Sequence, residues 1–279
     1  MNNVADLQQA APKVDFAALT IAGSDSCGGA GIQADLKTFA AFDVHGASAL
    51  TAVTAQNTLG VTAIEPLPAD LVAAQVRACL DDLPVTAIKT GMLASAALIE
   101  SIHAALPRDA TPLLVVDPVM VATSGDRLLD ESATEALVAR LLPRAALVTP
   151  NRPEAAVLTG ADADAPVDEL ADRMLALGLQ AVLIKDGHGS DAICRDLLAT
   201  ADGRRRTFER ARRPGRYHGT GCALSAAICA LLARGETLET AVAMAGDWLA
   251  EQIAGARLPT KGDLALLPFC RGEGLGERG

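Results

Sequence analysis

The chain alternates short, almost wholly apolar runs with longer stretches in which apolar residues recur every three or four positions. The runs are "FAALTIAG" (16–23), "ALTAVTAQ" (49–56), "VTAIKTG" (85–91), "LLVVDPV" (113–119), "ALVTPN" (146–151) and "AVLIKDG" (181–187). A strand that is apolar on both sides turns no face to water, which is the pattern of a parallel sheet covered by helices on both faces. The 3.6-residue periodicity predicts helices over roughly 31–42, 69–82, 94–106, 131–141, 166–177, 221–233 and 237–254. A further helix is expected after Asn151, with Pro153 in its first turn, where a missing N–H costs little. Neither an internal repeat nor an interdomain linker interrupts the alternation. The expected organisation is a single α/β domain over 16–268, a frayed extension at 1–15 and a flexible, glycine-rich tail at 269–279.

In sheets of this kind ligands collect outside the carboxyl ends of the strands, so the polar residues that close each run are the place to look for chemistry. Composition narrows what that chemistry acts on. The 279 residues carry 34 acids against 24 bases, a formal charge of -10, and only 3% are aromatic. Nucleic-acid binding is excluded as the main function, because both the positive charge and the stacking residues are missing. No apolar run approaches the roughly 20 residues that span a bilayer, and residues 1–15 have neither the basic nor the apolar part of a secretory signal. A soluble, cytoplasmic protein without a membrane partner is expected. Six cysteines are scattered without a C-x-x-C pair, so they read as reduced thiols.

Two segments depart from this background. "GRRRTFERARRPGR" (203–216) carries seven arginines; it reads as a solvated hairpin or sheet edge, or alternatively as a cationic surface that steers a polyanion. "HGTGCALS" (218–225) runs straight into the apolar "AAICALLA". Glycines at a helix start leave backbone N–H groups free to converge on one anion, and the helix dipole adds to the attraction. The same letters also describe an ordinary helix start. No G-x-x-x-x-G-K-[ST] loop occurs, yet Asp117, Asn151, Glu154 and Lys185, which suit phosphate or a metal, all follow predicted strands.

Together with "LTIAGSDSCGGAGIQADLKT", "TAVTAQNTLGV", "IKTGML", "VVDPVM", "SGDRLL" and "VTPNRPEA", in this order between about residues 17 and 250, these motifs resemble the ribokinase-like superfamily, and within it the hydroxymethylpyrimidine/phosphomethylpyrimidine kinases of thiamine biosynthesis. The resemblance implies a ribokinase-like three-layer α/β/α fold with a mostly parallel central sheet. It implies a homodimer that uses ATP and Mg2+ to phosphorylate 4-amino-5-hydroxymethyl-2-methylpyrimidine, its monophosphate, or both. The backbone of Gly219, Thr220, Gly221 and Cys222 would form the anion hole. Most sugar kinases of the superfamily end that motif in a catalytic aspartate; here Cys222 would take the substrate proton, its pKa lowered by the helix N-terminus.

By the same resemblance Asn151 and Glu154 organise magnesium mainly through water, while Asp117 and Lys185 stand by the nucleotide phosphates. Gly23 lets the flat ring approach the backbone and Asp35 reaches its hydroxymethyl or amino edge. Met92 and Val119 supply apolar walls. Gln56 offers a donor and an acceptor side by side, which complements an aminopyrimidine. Other readings of the same residues stay open: Asp35 as an exposed acid in a helix's first turns, Lys185 as a solvated strand end, Met92 and Val119 as core packing. A pyridoxal, pyridoxine or pyridoxamine kinase is the near alternative, and a ligand sensor without turnover is a more distant one. The chain departs from the family at Cys27, where serine is common, at "KDGH" (185–188) in place of "KGGH", in its arginine-rich segment, and at "LPTKGDLALLPF", where a glycine-rich ending is usual.

Overall fold

The computed structural model describes residues 13–108, 112–120, 130–162, 164–187 and 191–271. Most of the expected extension and tail, the segment "SGDRLL" and His188 lie outside the described residues. In chain order the strands are β1 (Ala17–Ala22), β2 (His45–Leu50), β3 (Ala52–Asn57), β4 (Gly60–Pro66), β5 (Val85–Thr90), β6 (Leu113–Val116), β7 (Leu147–Val148), β8 (Ala181–Ile184), β9 (Ile193–Thr200), β10 (Arg205–Ala211), β11 (Arg216–Tyr217) and β12 (Leu264–Ala265). The helices are α1 (Gly31–Ala41), α2 (Ala69–Asp82), α3 (Ala96–Ala105), α4 (Glu131–Ala136), α5 (Arg152–Thr159), α6 (Val167–Ala176), α7 (Thr220–Ala233) and α8 (Leu238–Ala254).

Eight strands form the central sheet in the order β10-β9-β8-β7-β6-β5-β1-β2. Neighbours from β2 to β8 are parallel, and β9 and β10 close one edge as an antiparallel hairpin. Successive strand residues feed opposite faces, as the twofold period of a strand requires. In β6, Leu114 and Val116 join a core with Val76 of α2, Ile99 of α3 and Leu170 of α6. Val115 points the other way, into a core with Phe39 of α1, Ile228 of α7 and Trp248 of α8. The architecture is the expected three-layer α/β/α, mostly parallel. No described helix is long and apolar enough to cross a membrane.

One apolar run is not a single strand. Residues 49–56 divide at Thr51: Ala49 and Leu50 close β2, while β3 leaves the sheet and pairs with β4 as a separate hairpin. Thr51 is fully buried, its N–H donates to the Ala22 carbonyl and its hydroxyl donates to the Met92 carbonyl. Those bonds pin the chain where it turns away, a tertiary constraint that periodicity does not carry. The arginine-rich segment is the hairpin edge expected of it, and β9 beside it was not anticipated.

Candidate functional site

The carboxyl ends of β1, β5, β6, β7 and β8 deliver Gly23, Gly91, Asp117, Thr149 and Lys185 to one edge of the sheet. The N-terminus of α7 points to that edge. Its N-cap, Gly219, has φ 74° and no side chain to cap the first turn, so the amides that a capping side chain ordinarily satisfies face the site. A Cβ placed on Gly221 would sit 3.4 Å from Lys185 Nζ and 4.0 Å from Asp117 Oδ2. A helix N-terminus and a lysine thus meet at one point, an arrangement that suits an anion.

Lys185 is no solvated strand end. It lies 2.9 Å from Asp117 Oδ1, and both side chains are largely buried. Thr149 and Ser225 hydroxyls also donate to the Asp117 carboxylate. Burial opposes ionisation of Asp117, but Lys185 and Lys89 outweigh it and hold the carboxyl below its usual range. Burial likewise opposes the Lys185 charge, and Asp117 and Glu154 reverse that, so the ammonium is kept.

Asn151 and Glu154 occupy the first turn of α5 as a capping box: Asn151 Oδ1 accepts from the Glu154 N–H and Glu154 Oε2 accepts from the Asn151 N–H, each at 2.8 Å. The N-x-x-E spacing therefore has a structural reason that a reading for metal chemistry overlooks. Burial pushes the Glu154 carboxyl up, with Lys185 pulling the other way. The donor set of Asp117 and Glu154 is all oxygen, which suits a hard cation, and because the Asn151 oxygen is already used by the cap, contact through water suits it better than direct ligation.

Cys222 overturns one expectation. A thiol at a helix start was expected to have a lowered pKa; instead burial pushes it up to about 11. Lys89 and the Gly31 N–H favour the thiolate, whereas Asp35 and Asp117 add to the burial effect. Carboxylates beside the thiol cancel what the helix dipole and the lysine would give. Cys229, further along α7, is fully buried core.

Asp35 is not an exposed acid. It is wholly buried, with Lys89 Nζ 3.0 and 2.9 Å from its two oxygens and the Thr20 hydroxyl donating at 2.6 Å. Burial alone would lower the Lys89 pKa; the charges of Asp35, Cys222 and Asp117 hold it above its usual value. Lys89 was missed, although a signal was there: a lysine inside an otherwise apolar strand must find a buried carboxylate.

The glycine-rich loop after β1 is explained largely by chain packing. Gly31 has φ 57°, and a Cβ there would strike the Gly23 carbonyl at 2.3 Å. A Cβ on Gly219 would meet the Gly29 carbonyl at 1.9 Å, and one on Gly29 the His218 ring at 2.4 Å. The two glycine motifs therefore pack directly on each other. At Gly23 the atom nearest to an added Cβ is the flexible end of Met92, at 2.6 Å, a side chain that can move where a backbone carbonyl cannot. Gln56, half-buried on β3, is tied to the loop through its backbone, which exchanges hydrogen bonds with the Ser26 hydroxyl, and its Oε1 accepts from Thr54 at 3.2 Å. Val119 lines a small cleft with Gly91, Leu93 and Asp117.

Two residues at the loop junction were also missed. Asp25, buried, accepts from the N–H groups of Cys27, Gly29 and Ala30 and from His218 Nε2. The C-terminal segment with the unusual sequence supports the same junction: β12 pairs with β11, and the His218 N–H donates to the Ala265 carbonyl.

The arginines of 203–216 are largely spent on acids nearby: Arg205 on Asp168 and Asp172, Arg206 on Glu239, Arg210 on Asp247 and Arg216 on Asp263. Arg212 pairs with Asp186 at 2.9 Å and also donates to the Asp186, Gly187 and Asp191 carbonyls. The aspartate of "KDGH" and the arginine-rich segment are thus two halves of one contact, and the charge that Asp186 brings next to Lys185 is matched.

Comparison with known proteins places this geometry in context. The phosphomethylpyrimidine kinase family model matches residues 25–265. The hydroxymethylpyrimidine/phosphomethylpyrimidine kinase of Rhizobium meliloti is 49% identical over 242 residues, 86% of this chain and 91% of that one. Among solved structures, the Clostridium difficile phosphomethylpyrimidine kinase is 40% identical with a TM-score of 0.75, covering 86% of this chain and all of that one. The ADP complex of Bacillus subtilis pyridoxal kinase is 35% identical with a TM-score of 0.82, covering 90% and 96%.

Proposed function

The chain belongs to the phosphomethylpyrimidine kinase family, and from that premise we propose that it transfers the γ-phosphoryl group of ATP to the hydroxymethyl oxygen of 4-amino-5-hydroxymethyl-2-methylpyrimidine, to the phosphate of its monophosphate, or to both, in thiamine biosynthesis. The observation that carries the reading is the α7 N-terminus, uncapped by any side chain and facing the Lys185–Asp117 pair. Phosphoryl transfer asks little covalent chemistry of the protein; it asks for alignment and for positive charge where the equatorial oxygens spread theirs.

The backbone of Gly219 to Cys222 would receive the transferring group, and Lys185 would neutralise it from the strand side. Asp117 keeps that lysine charged and fixed. Magnesium, when bound, supplies further neutralisation of the nucleotide phosphates; Asp117 and Glu154 would hold its waters. The pyrimidine would lie against Gly23 and Met92 with its amino edge toward Gln56. Asp35, closed off by Lys89, would act on substrate only by releasing part of that pair. Cys222, in its minor thiolate form, would accept the proton of the substrate hydroxyl as that oxygen bonds to phosphorus, becoming the thiol. That small population suffices because the proton leaves late in a loose transition state.

A pyridoxal kinase reading is favoured by the TM-score of 0.82 to the B. subtilis enzyme, but the relatives of higher identity are pyrimidine kinases. Mass spectrometry of the products formed from ATP with the free pyrimidine and, separately, with its monophosphate tests the proposal: a newly phosphorylated pyrimidine from either supports it, and both left unchanged contradicts it. A homodimer and a cytoplasmic location complete the reading, the first tested by sedimentation.

A further inference from the structure

We propose that Asp25 and His218 are a positioning pair that locks the anion-hole turn onto the substrate loop, so that the two binding surfaces are held in register. The inference rests on the kinase reading for the identity of those surfaces, and on geometry for the lock itself. His218 immediately precedes Gly219, the N-cap of α7. Its Nε2–H donates to Asp25 Oδ2 at 2.8 Å, and both side chains are almost wholly buried.

Asp25 in turn organises the glycine-rich loop. Oδ1 accepts from the Cys27 N–H at 2.9 Å, and Oδ2 accepts from the Gly29 and Ala30 N–H groups at 3.0 and 2.8 Å. Burial opposes its ionisation; the His218 bond and the backbone donors overcome this and hold the carboxyl below its usual range. Oδ2 takes three N–H donors and Oδ1 takes one, so most of the acceptor capacity of this carboxylate goes to the loop and to His218, which suits a role in fixing geometry. The Cys27 thiol, 3.6 Å from Oδ2, is a further neighbour.

The contact is reinforced where the two loops touch. Gly29 lies against the His218 ring and Gly219 against the Gly29 carbonyl, closer than any side chain permits. The Ile32 N–H donates to the Gly23 carbonyl at 2.9 Å. A shift of His218 therefore moves Gly219 to Cys222 relative to the loop that carries Gly23. Displacements of about 1 Å in a reacting pair cost up to about a hundredfold in rate. His218 Nδ1 is buried with no partner among the described residues, so the side chain is retained at a cost that its Nε2 bond must offset.

The test compares His218→Ala with His218→Gln, whose amide nitrogen can occupy the place of Nε2. We expect His218→Ala to lower kcat about tenfold to a hundredfold, with KM for the pyrimidine within about threefold, and His218→Gln to recover most of that loss. Hydrogen exchange at the amides of 219–222 in the ligand-free protein should speed up in the alanine variant and stay near wild type in the glutamine variant. If His218→Ala does not fold, His218→Asn, whose amide falls short of Asp25, replaces it in the same contrast. Equal kcat in all variants, or equal loss in alanine and glutamine variants with unchanged exchange, would overturn the proposal. A wild type that turns over no pyrimidine would defeat the kinase reading instead, and the exchange contrast would still decide the pair.

Discussion

Lys89 and Asp35 lie 2.9 Å apart with neither side chain exposed to solvent, on the face of the sheet where α1 and α7 meet. A buried pair of this kind contributes less than it would cost to break, because removing one partner strands the other charge in a poorly polarisable interior. Lys89→Met should therefore destabilise the protein by about 3–5 kcal/mol, and Asp35→Leu together with Lys89→Met should recover a large part of that loss. Urea unfolding of the single and double variants checks it; a double variant as unstable as the sum of the singles would contradict the account.

The glycines separate by what surrounds them. Gly219→Ala and Gly31→Ala would drive a Cβ into backbone carbonyls, so large losses of thermal stability are expected. Gly160→Ala shares a positive φ of 63° but opens onto empty space, and should cost only about 1–2 kcal/mol. Gly23→Ala meets only the end of Met92; its melting temperature should move little while KM for the pyrimidine rises. Thermal melts alongside KM measurements distinguish the three cases.

With its thiol pushed up to about 11, Cys222 is almost wholly protonated at neutral pH, and its thiolate fraction grows tenfold per pH unit until that value is reached. Iodoacetamide labelling of Cys222, followed by peptide mass spectrometry, should accelerate log-linearly from pH 7 to 10 without a plateau. A plateau near pH 7 would show a lowered thiol and restore the simpler picture of a resting thiolate.

Gln56→Met removes a carboxamide that can pair with an amino group and a ring nitrogen. Losing a hydrogen bond to a matched group typically costs more than losing apolar contact. The variant should lose about tenfold or more in kcat/KM for the aminopyrimidine relative to pyridoxal, and an equal loss on both would remove Gln56 from the recognition of the ring.

The strand and helix pattern was largely legible because continuous apolar runs and 3.6-residue periodicity are local signals. Thr51, where the chain leaves the sheet, was not legible, because its partners Ala22 and Met92 are distant in sequence. The site residues were readable as a set of polar groups at strand ends, but not their pairings. Asp35 needed Lys89, whose place in an apolar strand signals a buried acid but not which one, and Asp186 needed Arg212, one arginine in a run of them. The glycines illustrate the same limit: a sequence shows that bulk is excluded, while only the fold shows that Gly29, Gly31 and Gly219 exclude it for each other.

The most direct test of the central claim is ADP release by the purified protein with ATP and magnesium, measured side by side on hydroxymethylpyrimidine, its monophosphate and pyridoxal, with Cys222→Ala as the paired variant. The account predicts turnover on one or both pyrimidines in excess of pyridoxal, falling sharply in the variant. Turnover confined to pyridoxal, or pyrimidine binding that raises the melting temperature without releasing ADP, would contradict it.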